Sequence, residues 1–511
     1  SSTPVVTSAD NGANLIVNAA PSAPTTTGAN ICIGTTSGVT LSASGAASGE
    51  LYRWYDAASG GNLLKTSSSY TDNTYTTGVL AATTSYWVSI LGTSGCESPR
   101  TQVTATYPSA YAGSQTLAGT DSWISHIYDG ISLGTYYGTS TQAETFDQNF
   151  GGDATCFPFT AGANSYSIYT ETFSVSNRMN STKRGLYTAD LGGDDGIRLY
   201  VDGNLVFNRW VDQPFTSYTN VLMPLTGSST LRYEYYENGG GNRYVFQNLT
   251  KIFDNTLSTN TSQSVYLGSS GVAISGDTYG TLPSGITVSG TGYQWTYSKT
   301  PGGARTAISG ATGASYTPVT GAAPFTSTGT YYLYRNAVLT TTNNQNPSPY
   351  VATLESNACT LVVNTAPSIT TGVSTLTGFT YVVNAGPSTQ QSFSVTGANL
   401  VSNITVTPPT DFEISTTSGT GFQSTPITLT QSGGAVSATI YVRLKAGLYS
   451  GNYNSENIAL TASYATAKNV ACSGSVTLPT YCTMVGTTTY QTSVTYVGLN
   501  TIAQTSDKPA G

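Results

Sequence analysis

Short runs of alternating apolar and polar residues recur along the whole chain, separated by clusters of Gly, Asn, Ser and Thr. Clear examples are residues 52–55, 86–90, 293–297, 329–334 and 438–444. Successive side chains of a β-strand point to opposite faces of a sheet, so a period of two predicts half-buried strands. The residues between the runs are those that turns favour. The pattern predicts an all-β chain made of several sandwiches.

The composition agrees with this prediction and narrows the possible functions. A chain of 511 residues predicts about three to five domains. Only 8 % of the residues are charged, and 38 % are hydrophobic, which is enough for several small cores. The net charge of −7 comes without a basic stripe, which argues against a nucleic-acid partner. No apolar run is long enough to span a bilayer, so we expect no membrane-spanning segment.

One segment of the sequence occurs twice. Residues 15–22 read Leu-Ile-Val-Asn-Ala-Ala-Pro-Ser, and residues 361–368 read Leu-Val-Val-Asn-Thr-Ala-Pro-Ser. Each copy is a short apolar strand followed by an Ala-Pro linker, and proline both ends strand pairing and stiffens the connection. We therefore expect residues 1–27 to be the end strands of a preceding immunoglobulin-like (Ig-like) module plus a linker, within a longer filamentous chain.

Turn spacing divides the remaining sequence into five segments. We expect an Ig-like domain at 28–108, a distinct aromatic-rich domain at 109–255, and a second Ig-like domain at 256–366. An Ig-like or related β-sandwich domain should follow at 367–478, and residues 479–511 should open a further module. Trp54 has the position of a core tryptophan on a middle strand of a sandwich. The expected fold class is all-β, with tandem Ig-like β-sandwiches and one inserted domain.

Six cysteines lie in the chain without the spacing of a metal site. The chain is poor in charge and rich in Thr, Ser and Tyr, which favours an extracellular setting, where disulfides persist. Cys32 and Cys96 lie near the two ends of the 28–108 unit and predict a disulfide that staples it, the alternative being two buried thiols. We expect Cys156 to be a buried thiol. Cys472 could pair with Cys482.

Adjacent carboxylates give the most informative local motif. Asp194 and Asp195 are flanked by glycines and precede a predicted strand. Neighbouring carboxylates repel each other unless a cation or hydrogen bonds compensate them. Ca²⁺ accepts carboxylate, amide and backbone oxygens, and a second loop at 235–242, which contains Asn238, could complete its cage. The alternative is that both loops are ordinary Asp-Gly and Asn-Gly hairpin turns.

Residues 123–250 resemble the protective-antigen lectin-like domain of bacterial toxins, glycosidases and yeast flocculins. The resemblance depends on Trp123, the Asp194-Asp195-Gly196 turn, the strand and Asp-Gly turn at 199–203, Trp210, and the Tyr-rich strand at 231–237. In the sugar-binding members, an Asp-Asp pair joined by a cis peptide holds Ca²⁺, which chelates sugar hydroxyls.

This resemblance implies a lectin-like β-sandwich at 109–255 with Asp194, Asp195 and Asn238 as metal ligands. It also implies Ca²⁺ as the cofactor and surface glycans or a polysaccharide as the partner. It does not identify the carbohydrate-binding residues.

The flanking units are similar to Ig-like repeats in large secreted Bacteroidota proteins. The pattern that carries this similarity runs from Cys32 through Trp54 to Cys96, and residues 292–305 belong to it as well. Residues 481–483 resemble the entry to a GEVED domain. Together these similarities imply a cell-surface or secreted protein that is exported by the type IX secretion system and is akin to gliding-motility adhesins.

The sequence gives little support for an enzyme. His126 is the single histidine, and we expect it to be a structural residue near Trp123 and Tyr128. No Gly-x-Ser-x-Gly elbow is present, and no spacing singles out a pair of carboxylates for glycoside hydrolysis. We therefore expect no catalytic residues.

The resulting hypothesis is an adhesin segment in which an Ig-like stalk presents a lectin-like domain with calcium-dependent glycan binding. One alternative is a structural segment of an extracellular fibre without a ligand. In that case the region around Asp194 should be buried against residues 28–108 or 256–366. The other alternative is an accessory region of a secreted enzyme.

Overall fold

The computed structural model describes residues 5–7, 14–153 and 155–480. Their regular secondary structure consists of β-strands arranged in nine sheets, so the all-β prediction is confirmed. No helix in the described residues is long and apolar enough to cross a membrane. The predicted module start at 481–511, including Cys482, lies outside the described residues.

Two short strands precede the first sandwich. The strands β1 (Val5–Thr7) and β2 (Asn14–Ile16) pair antiparallel with each other.

The first Ig-like unit is a sandwich of a three-stranded and a five-stranded sheet. The sheet orders are β3-β5-β8 and β4-β10-β9-β6-β7. Trp54 is fully buried between the sheets and stacks on Tyr75 with a centroid distance of 5.7 Å, as expected for a core tryptophan. The strands are β3 (Thr25–Thr27), β4 (Ala29–Asn30), β5 (Thr40–Ser44), β6 (Leu51–Tyr55), β7 (Leu63–Thr66), β8 (Thr74–Thr76), β9 (Thr84–Leu91) and β10 (Thr101–Thr106).

The next unit, here called the lectin-like unit, packs a nine-stranded sheet on a four-stranded one. The larger sheet has the order β16-β15-β13-β12-β17-β22-β19-β20, with β11 beside β17, and the smaller one has the order β14-β23-β18-β21. The strands are β11 (Gly119–Thr120), β12 (Ser122–Asp129), β13 (Thr135–Ala143), β14 (Phe146–Asn149), β15 (Cys156–Ala161), β16 (Asn164–Tyr169), β17 (Thr172–Ser181), β18 (Arg184–Asp194), β19 (Gly196–Val201), β20 (Asn204–Arg209), β21 (Thr216–Thr226), β22 (Ser229–Asn238) and β23 (Arg243–Phe253).

Aromatic rings fill the core of the lectin-like unit. Trp123 meets Phe246 edge-on at a centroid distance of 5.1 Å, and Tyr235 stacks on Tyr244 at 4.6 Å. Such pairs add about 0.5–1.5 kcal/mol each to the free energy gained by burying their area. These rings occupy inward-facing positions on strands of both sheets. Because every second residue of a strand faces inward, the period of two in the sequence places these rings in the core.

The second Ig-like unit has a six-stranded sheet of order β25-β31-β29-β27-β28, in which β30 also pairs with β29, and a two-stranded sheet of β24 and β26. Trp295 is fully buried in its core. The strands are β24 (Leu257–Thr259), β25 (Ser262–Tyr266), β26 (Ser275–Gly276), β27 (Ile286–Ser298), β28 (Thr306–Ala307), β29 (Gly329–Thr341), β30 (Tyr350–Glu355) and β31 (Cys359–Asn364).

The last described unit packs a four-stranded sheet, β32-β34-β38-β36, on a five-stranded one, β33-β40-β39-β35-β37. Its core includes Phe379 and Phe412, whose rings meet edge-on at 5.3 Å. The strands are β32 (Ser368–Thr371), β33 (Thr375–Val382), β34 (Gln391–Ala398), β35 (Ile404–Thr407), β36 (Phe412–Ser415), β37 (Ile427–Leu429), β38 (Val436–Leu444), β39 (Gly451–Thr461) and β40 (Lys468–Thr477).

The disulfide in the structure joins two units and does not staple one. Cys32 pairs with Cys156, with a Cα–Cα distance of 6.1 Å, so the predicted Cys32–Cys96 pairing is wrong. Cys156 is therefore not the buried thiol that we expected. Cys96 is a free, partly exposed cysteine whose sulfur lies 3.7 Å from the Asn18 carbonyl oxygen.

Backbone pairing explains why Cys32 meets Cys156. The N–H of Ile33 donates to the carbonyl of Ser167 at 3.0 Å, and the N–H of Tyr169 donates to the carbonyl of Ile33 at 2.8 Å. Tyr169 is in turn the strand partner of Cys156 in the β15–β16 hairpin. The first Ig-like unit thus adds a short parallel bridge to the edge of the larger lectin-like sheet, which places the two sulfurs side by side.

The smaller sheet of the lectin-like unit packs on the second Ig-like unit through an apolar cluster. Leu186, Leu222 and Phe253 contribute to it from the lectin-like unit, and six residues contribute from the second Ig-like unit: Ile286, Tyr293, Ala337, Leu339, Ala352 and Leu354. Buried Asn344 accepts a hydrogen bond from the Leu222 N–H at 2.8 Å and donates to the carbonyls of Val206 and Leu222. The lectin-like unit is therefore fixed to both of its neighbours.

Peptide mapping tests the disulfide correction. Digestion of the unreduced, alkylated protein should yield a peptide that links Cys32 to Cys156, because their Cα atoms lie within the range that a disulfide spans. Cys96 should be alkylated before reduction, since it is free and partly exposed. Mass spectrometry reads both results, and a linked Cys32–Cys96 peptide would contradict the structure.

Candidate functional site

The predicted metal ligands lie where the chain crosses from one sheet to the other. Strand β18 of the smaller sheet ends at Asp194, and strand β19 of the larger sheet begins at Gly196. The peptide bond between Asp194 and Asp195 is cis. A Cβ on Gly196 would lie only 2.0 Å from the Tyr236 ring, so this position requires glycine. Gly196 is therefore needed at the turn because a larger residue would clash with Tyr236.

Asp195 ties three segments together. Its side chain is 6 % exposed, Oδ1 accepts the N–H of Gln213 at 2.9 Å, and Oδ2 accepts the N–H of Asn238 at 2.9 Å. Burial raises the pKa of this carboxyl above its ordinary value, while the two N–H donors lower it and the charge of Asp212 raises it. The predicted ligands Asp195 and Asn238 are therefore adjacent in space.

Asp194 faces the glycine-rich loop that follows β22. A Cβ on Gly241 would lie 2.6 Å from Asp194 Oδ2, so that loop passes directly over the carboxylate. Burial raises the pKa of Asp194, the charges of Asp195 and Asp153 raise it further, and the Phe215 N–H lowers it. Asp153 also accepts the N–H of Gly240 at 2.7 Å, which adds another carboxylate to the same rim.

Asp212 belongs to the same cluster and was missed by the sequence analysis. Its carboxylate accepts the Tyr236 hydroxyl at 2.7 Å and the side-chain amide of Asn238 at 3.0 Å, and these donors lower its pKa. The one available signal was its position two residues after Trp210. Nothing in the local sequence pattern brings this loop to the Asp-Asp turn.

Glu237 is a buried carboxyl group without full hydrogen bonding. It is 0 % exposed, and its Oε1 has no hydrogen-bond partner in the described structure. The Tyr235 hydroxyl lies 2.7 Å from both Glu237 Oε2 and the Asp194 carbonyl oxygen. Burial, followed by the charges of Asp195 and Asp194, raises the pKa of Glu237 to about 8. Glu237 is therefore largely protonated at neutral pH, so the core behind the turn holds a neutral carboxyl group.

Among the described residues, no ion pair compensates the carboxyl groups at this end of the sandwich, because Arg243, the strand partner of Asp194, pairs with Asp147 instead. Within the described residues, no Lys or Arg nitrogen lies within 4 Å of the five carboxyl groups that surround the turn, namely those of Asp153, Asp194, Asp195, Asp212 and Glu237. The described part of the chain also contains no group of three His, Cys, Asp or Glu side chains arranged to hold a metal. A cation here would therefore need amide, backbone or water oxygens beside two carboxylates, which is a mixture that Ca²⁺ accepts.

Rings and apolar side chains surround the exposed rim of the cluster. Trp210 packs against Tyr236 with a centroid distance of 4.6 Å, while Val211 and Phe215 are 44 % and 36 % exposed. A recess of about 200 Å³ adjoins Trp210 and Val211 and is closed by Gln345 and Asn346 of the second Ig-like unit. Asp212, Asn238 and residues 239–241 are exposed, so the neighbouring Ig-like units do not cover the cluster.

His126 has a structural position, as expected, but the expected proximity to Trp123 is wrong. It is fully buried, its Nε2–H donates to the Leu117 carbonyl at 2.9 Å, and Nδ1 lies 3.3 Å from the Tyr136 hydroxyl. It shares a sheet face with Tyr128 and lies on the opposite face from Trp123, because residues two apart in a strand share a face. Burial lowers its pKa, so the folded protein holds it neutral.

Comparison with known protein families finds a match for one of these units. The family model described as "Ig-like domain CHU_C associated" matches residues 21–108, which contain β3–β10. The chain is thus a multidomain all-β protein with an Ig-like domain near its N-terminal end. No curated protein is significantly similar to the chain.

Several solved structures are similar at low identity. A PA14 sugar-binding domain from an RTX adhesin is 16 % identical with a TM-score of 0.19, and the match covers 25 % of this chain and 88 % of that one. The PA14 domain of the antifreeze protein MpAFP is 16 % identical with a TM-score of 0.18, covering 27 % and 85 %. The CupB6 tip adhesin from Pseudomonas aeruginosa is 8 % identical with a TM-score of 0.18, covering 68 % and 98 %. At these values the similarities carry no conclusion about what this chain binds.

The pH dependence of stability tests the neutral, buried state of His126. On acidification, the unfolded chain takes up a proton at the ordinary histidine pKa of about 6.5, whereas the folded chain resists protonation. This contribution to stability is therefore complete above about pH 6.5 and is lost as pH falls towards the lowered pKa, by up to about 1.4 kcal/mol per pH unit.

The His126→Gln variant keeps a donor for Leu117 but cannot titrate. Urea unfolding at pH 7.5 and 5.5 should show a larger loss of unfolding free energy for the native chain than for the variant. Equal losses in the two proteins would contradict a neutral, buried His126.

Proposed function

We propose that the chain is part of a cell-surface or secreted adhesin whose Ig-like units present the lectin-like unit, and that this unit binds glycans through Ca²⁺ at the Asp194–Asp195 turn. The observation that supports the proposal is a cluster of carboxyl groups that forms no ion pair in the described structure and whose rim, at Asp212 and Asn238, is exposed. The role proposed is binding and not catalysis. The type IX export route, the link to gliding motility and the Bacteroidota origin remain predictions from the resemblance.

Asp194 and Asp195 would supply the charged ligands. Burial and neighbouring carboxylates disfavour the charged forms of Asp194 and Asp195. A bound cation would therefore stabilise both carboxylates. Asn238 would be a neutral ligand through its side-chain oxygen, since its amide nitrogen already donates to Asp212. Bound Ca²⁺ supplies open coordination positions that a pair of sugar hydroxyls can fill.

The surrounding residues would fix the ligands and meet the sugar. Gln213 and Asn238 hold the Asp195 carboxylate in one orientation through their N–H groups. Exposed Val211 and Phe215 offer apolar surface for the less polar face of a sugar ring. Arginine side chains already lie over the nearby rings, Arg198 over Trp210 at 4.1 Å and Arg243 over Phe215 at 4.3 Å. Asp212 accepts hydrogen bonds from Tyr236 and Asn238, and so positions the end of β22.

A structural role in an extracellular fibre is the second candidate. The disulfide on one side and the apolar cluster on the other are what a load-bearing spacer needs. This alternative also predicts that the turn is covered by a neighbouring unit, whereas its rim is exposed. We therefore prefer the binding role and regard the rigid junctions as the means of presenting it.

Calorimetry tests the ligand set. Titration of the full chain with Ca²⁺ should show one site, and Asp194→Asn and Asp195→Asn should each weaken it by at least about tenfold, since each removes a charged ligand. Asp56→Asn, in the first Ig-like unit, removes the same charge far from the turn and should bind Ca²⁺ as the native chain does. Glycan-array binding should disappear in EGTA.

The outcomes of this experiment separate the two candidate functions. Glycan binding that persists in EGTA would contradict the calcium mechanism. An absence of both Ca²⁺ and glycan binding would favour the fibre spacer. Melting curves of each variant show whether it is folded.

A glycine substitution tests the position of Asp194 without removing a carboxylate. In Gly241→Ala the new methyl group would lie 2.6 Å from Asp194 Oδ2 and displace that side chain, so Ca²⁺ affinity should fall several-fold. Gly280→Ala is the control, since a Cβ there meets no atom within 4 Å. Unchanged affinity in Gly241→Ala would show that Asp194 is not a ligand in this orientation.

A further inference from the structure

A second recess lies on the outer face of the larger lectin-like sheet, away from the carboxyl cluster. It has a volume of about 340 Å³ and is lined by side chains from β17, β19 and β22 and by the segment ahead of β11. Ligand pockets start at about this size. We call it the arginine recess; the lining residues that matter here are Thr116, Arg178, Asn180, Tyr200, Thr230 and Arg232.

Two of its arginines stand directly opposite each other. Arg178 of β17 and Arg232 of β22 are register partners in the antiparallel pair. Like charges in directly opposed positions of a sheet repel each other and cost stability. The repulsion is not removed by a carboxylate between them, because Glu234 pairs with Arg232 at 2.7 Å and with Arg198 on the other side. Arg198 and Arg232 therefore share one glutamate, and Arg178 is left without a carboxylate.

Arg178 has no partner of its own. Among the described residues, it is the one arginine with neither a hydrogen bond nor a carboxylate within 4 Å, and its Nε is buried without a hydrogen-bond partner. Arg232 by contrast lies over the Tyr200 ring at 4.0 Å besides pairing with Glu234. A buried, unpaired N–H of a charged group costs about 1–3 kcal/mol or more. An anion that accepted this N–H would recover the cost.

The surroundings of Arg178 indicate the chemistry of that anion. A guanidinium group binds planar or tetrahedral oxyanions through two parallel N–H donors. Apart from Arg232, the other polar side chains of the recess are neutral: the hydroxyls of Thr116, Tyr200 and Thr230 and the amide of Asn180. Such groups suit ligand hydroxyls. We propose that the arginine recess binds the carboxylate or sulfate group of an acidic saccharide.

The arginine recess is separate from the carboxyl cluster at the other end of the same strand. Arg232 precedes Asn238 by six residues on β22, which is about 20 Å at the rise of a β-strand. Saccharide binding there does not require Ca²⁺, so the proposal does not depend on the calcium site. One long acidic chain that crosses the outer face of β22 would reach both sites.

The experiment measures binding of the full chain to four probes in EGTA, at low and physiological salt. The probes are an oligogalacturonate, a sulfated dextran oligosaccharide, a neutral dextran oligosaccharide of matched length, and poly-glutamate. We expect binding of at least one of the two acidic saccharides and weaker binding of the neutral one by at least about tenfold. The tighter of the two acidic probes identifies the oxyanion as carboxylate or sulfate.

Substitution of Arg178 tests whether the recess is the site. Arg178→Gln should weaken acidic-saccharide binding by at least tenfold, and Arg178→Lys should give an intermediate loss because it keeps the charge but not the paired donors. Arg443→Gln, in the last described unit, makes the same charge change and should bind as the native chain does. The melting temperature of Arg178→Gln without a ligand should equal or exceed the native value, since the substitution removes an unpaired cation opposite Arg232.

Three results would overturn the proposal. The first is an absence of binding to both acidic saccharides, and the second is native affinity in Arg178→Gln. The third is equal or tighter binding of poly-glutamate, which would show that the recess takes an acidic peptide instead. A fall in the melting temperature of Arg178→Gln with unchanged saccharide binding would assign Arg178 a structural role only.

Discussion

The central feature of this structure is the turn between the two lectin-like sheets, where carboxylates carry negative charge that no ion pair in the described residues compensates. Asp194 and Asp195 are held beside Asp212 and in front of Glu237, with backbone N–H groups as their partners. Hydrogen bonds orient these carboxylates but do not neutralise them. Proteins usually pair or protonate carboxyl groups in such surroundings, or bind a cation. The exposed rim leaves the last of these routes open.

The rest of the molecule holds this turn in a fixed position. On one side, the first Ig-like unit is joined to the β15–β16 hairpin through Cys32–Cys156 and the bridge at Ile33. On the other side, the second Ig-like unit shares an apolar cluster with the smaller lectin-like sheet. These two junctions leave Asp212, Asn238 and residues 239–241 exposed, which is the arrangement that presentation of a binding site requires.

The sequence predicted the fold class and part of the site because both are local properties. Alternation at period two identified the strands, the position of Trp54 predicted its burial, and the Asp-Asp-Gly motif identified the turn. Contacts across units were not predictable in the same way. The pairing of Cys32 with Cys156 depends on a backbone bridge between Ile33 and Ile168, which no spacing encodes. Likewise, the opposition of Arg178 and Arg232 exists only once the register of β17 and β22 is known.

The most direct measurement is a crystal structure of the full chain grown in millimolar calcium, with an anomalous difference map. The account predicts one strong peak about 2.3–2.6 Å from carboxylate oxygens of both Asp194 and Asp195, which is the distance range of calcium–oxygen bonds. A map with no peak at this turn, in crystals where its rim is open to solvent, would contradict the account.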